Sequence, residues 1–374
     1  MKIKRLLLTI MICFFLTMPV LAATNDMSNV NSETFENGFS SYWYRAMNNY
    51  AYSGNPSTNY SVSPTHSYRF ELHSTDPKVE GGKRAELEGA PEPPLQNRIY
   101  NFSTYLPNGG SEDYALDKPE CDEIIAQWHQ NPDPEDKETS CGPPLCLILN
   151  TDPKDGRGYY SVMQLWDSRA ITPSNNLGNN RTYFDLGSYE GDKGKWVNWS
   201  FHVKWGWLAS QNPKLEVYKD GVLVVNSNSP NTFNDKKGVN QQFGIYKWEW
   251  DGSDSRAISM LTKRVIYFDD MTVTQITGNL TDPVNPAQPK AEIKPVASFT
   301  ATPTSGKYPL KVTFKDTSTG NITSRTLTFG DRYSTTTTNT THTYNSRGTY
   351  TAKLVVTNSA GDSSTTKTIT VRRY

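Results

Sequence analysis

Hydrophobic side chains recur in this chain at every second residue and almost nowhere at helical spacing. The segments SYRFELHS (67–74), GYYSVMQLW (158–166), WVNWSFHVKW (196–205) and RVIYFDDMTV (264–273) all alternate, with Gly, Pro, Asn and Asp between them. Alternation puts the apolar side chains on one face of a strand and the polar ones on the other. A region of about 250 residues built this way buries its apolar faces by packing two large antiparallel sheets against each other. The expected fold class is all-β, a large antiparallel β-sandwich followed by a small one.

Both ends of the large region can be read. The opening MKIKRLLLTIMICFFLTMPVLAA joins a basic start to an apolar run and a small-residue end, which predicts a secretory signal over residues 1–22. No later segment is long and apolar enough to span a bilayer, so no membrane span is expected after signal cleavage. The expected location is outside the cell or on its surface, and the expected state is a monomer. Near residue 276 the composition changes: TGNLTDPVNPAQPKAEIKP is rich in proline and without periodicity, which predicts an extended linker over 276–294. Charge changes there too. From residue 293 onward 11 Lys/Arg stand against 3 Asp/Glu, whereas residues 23–292 hold 24 against 35. The neutral total hides an acidic large domain (23–275) and a basic small one (295–374). An acidic domain is a poor partner for nucleic acid, whose binding rests on phosphate neutralisation.

The small domain consists of short β-patterned runs: VASFTAT, LKVTFKD, RTLTFGD, YTAKLVVTNSAG and TKTITV. Its opening PVASFTATPTSGKYPLKVTFKD, the TFGD at 328–331 and THTYNSRGTYTAKLVVTNSAGD at 341–362 resemble a PKD domain, which implies an Ig-like β-sandwich acting as spacer or adhesion module. Leu327 stands where that family often has Trp, and Arg332 where Gly often follows the Asp.

In the large domain, four strand-like segments share an unusual split. In EIIAQWH, Ile124, Ala126 and Trp128 are expected on one face and Ile125, Gln127 and His129 on the other. In KRAELEG, Ala85 and Leu87 oppose Arg84, Glu86 and Glu88. In QQFGIYKWEW, Phe243 and Ile245 oppose Gln242, Gly244, Tyr246 and Trp248. In WSFHVKW, Phe201, Val203 and Trp205 oppose His202 and Lys204. The second faces offer Arg, Gln, His, Tyr and Trp, groups that hold sugars and move protons. Were these strands neighbours, they would line a polysaccharide groove.

GGKRAELEG (81–89), IIAQWH (124–129), GKWVNWSFHVKW (194–205), LEVYKDGVLV (215–224), FGIYKW (243–248) and VIYFDDMTV (265–273), in that order, resemble the extracellular polysaccharide lyases of the heparinase/glucuronan-lyase type. The resemblance implies a concanavalin-like jelly roll, an anionic polysaccharide as partner, and β-elimination at a uronic acid. Such a reaction needs the uronate carboxylate neutralised, a base for the proton on C5, and an acid for the oxygen leaving C4. Arg84 suits the first task through two parallel hydrogen bonds, with Gln127 adding a third. His129 suits the second, with a pKa near neutrality, and Tyr246 the third, although the resemblance leaves open which of the two takes the proton. Gln242, His202, Lys204 and Trp248 are expected to bind substrate. Heparinase-type members carry Lys where this chain has Gln242, which points to a non-sulfated uronan such as a glucuronan or an alginate-like polymer. A glycoside hydrolase on the same fold and a non-catalytic sugar-binding protein are the alternatives.

No cofactor is required by this chemistry. Asp269 and Asp270 would admit a structural Ca²⁺, as in some relatives, or are plain surface acids. After signal cleavage Cys121, Cys141 and Cys146 remain, an odd number that allows at most one internal bridge. Cys121 with Cys141 is the expected pair, because it would pin both ends of the polar loop after His129 and add about 3 kcal/mol by chain entropy.

Overall fold

The computed structural model describes residues 26–172, 180–252, 258–277, 294–320, 322–358 and 360–373. The expected signal and nearly all of the expected linker lie outside the described residues. Among the described residues, fifteen strands form the larger unit: β1 (Asp26–Glu33), β2 (Trp43–Met47), β3 (Gly54–Ser57), β4 (Ser67–His73), β5 (Arg84–Gly89), β6 (Asn97–Tyr105), β7 (Glu123–Gln130), β8 (Leu145–Thr151), β9 (Gly158–Leu165), β10 (Arg181–Ser188), β11 (Trp196–Lys204), β12 (Lys214–Lys219), β13 (Val222–Ser227), β14 (Val239–Tyr246) and β15 (Lys263–Thr277). Ile276 and Thr277, expected to open the linker, are the last residues of β15 and pair with Met27 and Asp26.

The strands form two antiparallel sheets. One runs β13-β12-β11-β6-β15-β4-β3, with β1 also paired to β15; the other runs β10-β9-β8-β7-β14-β5-β2. Neighbours far apart in sequence, such as β5, β14 and β7, are adjacent in space, as a jelly roll requires. Aromatic rings fill the space between the sheets. Phe243 of β14 lies 4.8 Å from Phe102 of β6 and 5.7 Å from Phe268 of β15, centroid to centroid, and Trp128 of β7 lies 4.8 Å from Phe201 of β11. Rings of this size dominate burial, and their tilted contacts add roughly 1 kcal/mol each. Because side chains alternate, anchoring Trp128 and Phe243 inward turns His129 and Gln242 outward on the second sheet.

Two irregularities adjust that alternation. The β7–β8 register shifts between Ile124 and Ala126, and β14 shifts against β7 between Phe243 and Tyr246. The shift in β7 sends Ile125, Ala126 and Trp128 into the main core, while Ile124 joins a separate cluster with Cys146, Ile148, Met163, Leu165 and Phe233. Strict alternation had assigned Ile124 and Ile125 the other way round; an extra residue in a strand reverses the faces beyond it. In β14 the irregularity falls at Gly244, whose φ is +139° and where a Cβ would stand 2.2 Å from the carbonyl oxygen of Ala85. Only glycine fits so close an approach.

The expected Cys121–Cys141 bridge is not formed; Cys121, Cys141 and Cys146 are thiols. Cys121 precedes β7 and Cys141 follows it, with the Cys141 amide donating to Gln130 Oε1 at the strand's far end (2.6 Å). Eight extended residues, about 25 Å, separate the two positions. The polar loop is held instead by its own acids. Glu138 accepts from the amides of Asp133 (3.0 Å) and Thr172 (2.6 Å).

Among its described residues the smaller unit has eight strands: β16 (Phe299–Thr302), β17 (Ser305–Lys307), β18 (Leu310–Asp316), β19 (Ser324–Thr328), β20 (Ser334–Thr335), β21 (Asn339–Tyr344), β22 (Gly348–Asn358) and β23 (Gly361–Arg372). They form a sheet β16-β18-β21 and a sheet β17-β23-β22-β19-β20 around a core that includes Phe314, Leu327, Phe329, Tyr344 and Leu354. Leu327 occupies an interior position as a smaller filler. Arg332 takes φ +81°, which accounts for the glycine common at that place. His342 stacks on Phe329 at 4.1 Å and bonds Asp331 at 2.6 Å, tying the TFGD turn to β21.

Two outcomes test this account. Gly244→Ala should lose about 2–4 kcal/mol in denaturant unfolding, because a Cβ meets backbone and the φ is strained. Adding a reductant should leave the melting temperature unchanged.

Candidate active site

The site is built on three adjacent strands. In β14, Tyr246 lies opposite Arg84 of β5, Gln242 lies opposite both Glu88 of β5 and Gln127 of β7, and Asn240 lies opposite His129 of β7. All these side chains share the outer face of the second sheet. The guanidinium of Arg84 lies over the Tyr246 ring, 4.6 Å from its centroid, and Nη1 donates to Gln242 Oε1 at 3.5 Å. Arg84, Gln242 and Tyr246 are therefore in direct contact. Gln127 joins them through Glu86: its Nε2 donates to Glu86 Oε1 (2.8 Å), and Glu86 Oε2 lies 3.4 Å from Arg84 Nη1. His129 stands on the same face near the end of β7, farther from Tyr246, and feels the charge of Arg84.

Electrostatics prepares these groups differently. His129 Nδ1 lies 3.0 Å from the carbonyl oxygen of Gln130. A carbonyl only accepts, so Nδ1 carries the proton and Nε2 keeps a lone pair. Burial, with help from Arg84, pulls the imidazole pKa below its ordinary 6.5, so the ring is neutral at pH 7. Burial raises the Tyr246 hydroxyl above 10 despite the opposing pull of Arg84, which keeps it protonated. The pair is thus poised as one proton acceptor and one proton donor.

Glu86, expected on the polar face beside Arg84, is drawn out of solvent. It is fully buried, and burial pushes its carboxyl up to about 7 against the opposing pull of Arg84. Below that pH a neutral Glu86 leaves the charge of Arg84 largely uncancelled. Lys247 was missed altogether. It is fully buried, 3.1 Å from Asp117 Oδ2 and 3.7 Å from Glu123 Oε2, and donates to the Cys121 carbonyl (2.9 Å). Arg264 Nε completes this cluster on Glu123 Oε2 at 2.9 Å. Alternation from Phe243 and Ile245 puts position 247 on the inner face, and what keeps a lysine there is its neighbours in space, Asp117, Glu123, Glu249 and Trp250.

Other expected site residues fall elsewhere. His202 and Lys204 lie on β11, in the opposite sheet, and cannot share a groove with Arg84. Alternation identifies a face of a strand but not the sheet to which the strand belongs. His202 is a structural histidine: its Nε2 meets Ser200 Oγ (2.9 Å), its ring packs 4.8 Å from Tyr218, and burial pulls its pKa down to about 4. Trp248 follows β14 and stands beside the site, its ring 6.1 Å from Tyr246, partly packed on the Ile124–Phe233 cluster.

Asp269 and Asp270 do not fit a calcium site. Asp269 Oδ2 accepts from the amides of Val62 (2.7 Å) and Ser63 (2.8 Å), and its Oδ1 from the amide of Asp270 (2.8 Å). Ser63 Oγ lies 2.8 Å from Asp269 Oδ1 and 2.6 Å from Asp270 Oδ1. Hydrogen-bond donors already surround the carboxylate that a cation would need bare. The two acids fasten the 62–63 turn.

Residues 35–272 match the family described as polysaccharide lyase. The chain belongs to the polysaccharide lyase family. Residues 286–372 match the PKD domain family, so a PKD domain follows the lyase domain. Among solved structures, the endo-β-1,4-glucuronan lyase from the fungus Trichoderma reesei is similar over 62% of this chain and 94% of its own, at 19% identity and a TM-score of 0.46. An alginate lyase from Pseudomonas aeruginosa is similar over 60% of this chain and 86% of its own, at 14% identity and a TM-score of 0.38. The PKD1 domain of the Vibrio cholerae metalloprotease PrtV is 31% identical over 21% of this chain and 98% of its own, with a TM-score of 0.19. No curated protein matches the chain.

The lyase should reveal the state of Glu86 through stability. A carboxyl raised from about 4.5 to about 7 by folding contributes stability that is full below 4.5 and lost as pH rises through 7. Glu86→Gln removes this dependence. Its melting temperature relative to wild type should climb between about pH 5 and about pH 8, by the equivalent of up to about 3 kcal/mol.

Proposed function

We propose that this polysaccharide lyase is secreted and cleaves a non-sulfated, uronic-acid-containing polymer by β-elimination. Arg84 and Gln127 hold the carboxylate of the uronate, which lets negative charge develop on the carbon beside it. His129 Nε2 removes the proton on C5. The electron pair released forms the double bond between C4 and C5 and breaks the bond from C4 to the glycosidic oxygen. Tyr246 gives that oxygen its hydroxyl proton. One product ends in an unsaturated uronate and the other in a new hydroxyl, and no water is consumed.

The observation that supports this reading is one sheet face, built from three adjacent strands, that carries a buried arginine, a histidine with a free Nε2 lone pair and a protonated tyrosine. Gln242, in the place of a second cation, and the acidic excess of the domain favour a polymer without sulfate. Hydrolysis is disfavoured because it needs two carboxylates on either side of the bond. The acids on this face, Glu86 and Glu88, are buried and bonded to Gln127 and Asn240.

Incubation with glucuronan, alginate and a sulfated control should yield ultraviolet-absorbing unsaturated products and reducing ends together, from the non-sulfated polymers alone. Reducing ends without absorbance would refute elimination. His129→Ala and Tyr246→Phe should each lower kcat by roughly 10²–10⁴. The wild-type kcat/KM should rise with pH through an apparent pKa below 6.5, because His129 must be neutral to act.

A further inference from the structure

Arg84 does not meet the groove alone. The turn before β5 closes through paired backbone bonds, Val79 N to Gly82 O (2.8 Å) and Gly82 N to Val79 O (3.0 Å). Its central residues Glu80 and Gly81 have φ of +48° and +79°. Gly82 then seats the turn on the site, since a Cβ there would stand 2.5 Å from Tyr246 Cε2. The residue at the tip, Glu80, holds its carboxylate 3.8 Å from Arg84 Nη1 with 50% of the side chain exposed. Its charge is felt by His129, Glu86, Glu88 and Tyr44. Unlike Glu86 and Glu88, it is open to whatever enters.

Cations are scarce around it. Among the described residues, the outward side chains of β5, β14 and β7 that flank Arg84 are Glu86, Glu88, Asn240, Gln242, Tyr246, Ile124, Gln127 and His129. Lys83 turns away to the carbonyls of Ser74 and Asp76. On these three strands a polymer with a carboxylate on every ring would therefore meet one guanidinium with an open acid next to it.

We propose that Glu80 is a specificity-determining residue that repels a second carboxylate, the one on the ring adjoining the uronate to be cut. The preferred substrate is then a polymer in which the cleaved uronate is flanked by uncharged sugars. This inference rests on the reading of Arg84 as the carboxylate site of a uronan lyase.

The test uses the full chain and two oligosaccharide probes of equal length, one with uronate at every position and one with uronate alternating with neutral hexose. Glu80→Gln and Glu80→Asn both remove the charge, and Asn tolerates left-handed backbone. At low salt the wild type should show the lower KM on the alternating probe. Both variants should lower KM on the all-uronate probe by roughly two- to fivefold, the worth of an exposed ion pair, and leave the alternating probe within about twofold. The gain should fade at high ionic strength. Unsaturated product formed at an unchanged all-uronate KM in both variants, or an equal drop on both probes, overturns this inference alone. Absence of unsaturated product from either probe with the wild type overturns the uronan reading and this inference with it.

Discussion

The contact between the Arg84 guanidinium and the Tyr246 ring organises the active face. It exists because β5 and β14 place the two residues directly opposite each other, and β7 adds Gln127 and His129 on the other side of β14. That register is fixed from beneath. Phe243 and Trp128 are locked among aromatic rings of the other sheet, and a slip by one residue would bury Gln242 and expose Phe243. The chemistry of the outer face is thus a consequence of core packing one residue away along each strand.

Burial then tunes the charges. One low-dielectric surface holds His129 neutral, keeps Tyr246 protonated and raises Glu86 to near neutrality. These shifts run in different directions on the acid–base scale, yet share one cause, the penalty for charge away from water. Arg84 stacks on an aromatic ring and lies against a carboxyl group.

Much of this was legible in the sequence, and the failures are instructive. Alternation identified the strands, and the ordered motifs brought Arg84, Gln127, His129 and Tyr246 to one face. It failed at Ile124 and Ile125 because a bulge is an insertion of backbone, invisible to a count of twos. It failed at His202 and Lys204 because two sheets of one sandwich carry the same pattern. The Cys121–Cys141 bridge is not formed because the whole of β7 lies between Cys121 and the loop, and loop length alone does not show that strand. Glu86 and Lys247 were undervalued because a charged residue inside a protein is recognised by its neighbours in space, and those lie about 40 and 130 positions away.

Tyr246 is held between the Arg84 guanidinium over its ring and Gly82, where a methyl group would stand 2.5 Å from Tyr246 Cε2. The ring is therefore clamped before any sugar arrives. The entropy of fixing the proton donor is lost once, when the chain folds, and need not be drawn again from the binding of each new segment of polymer.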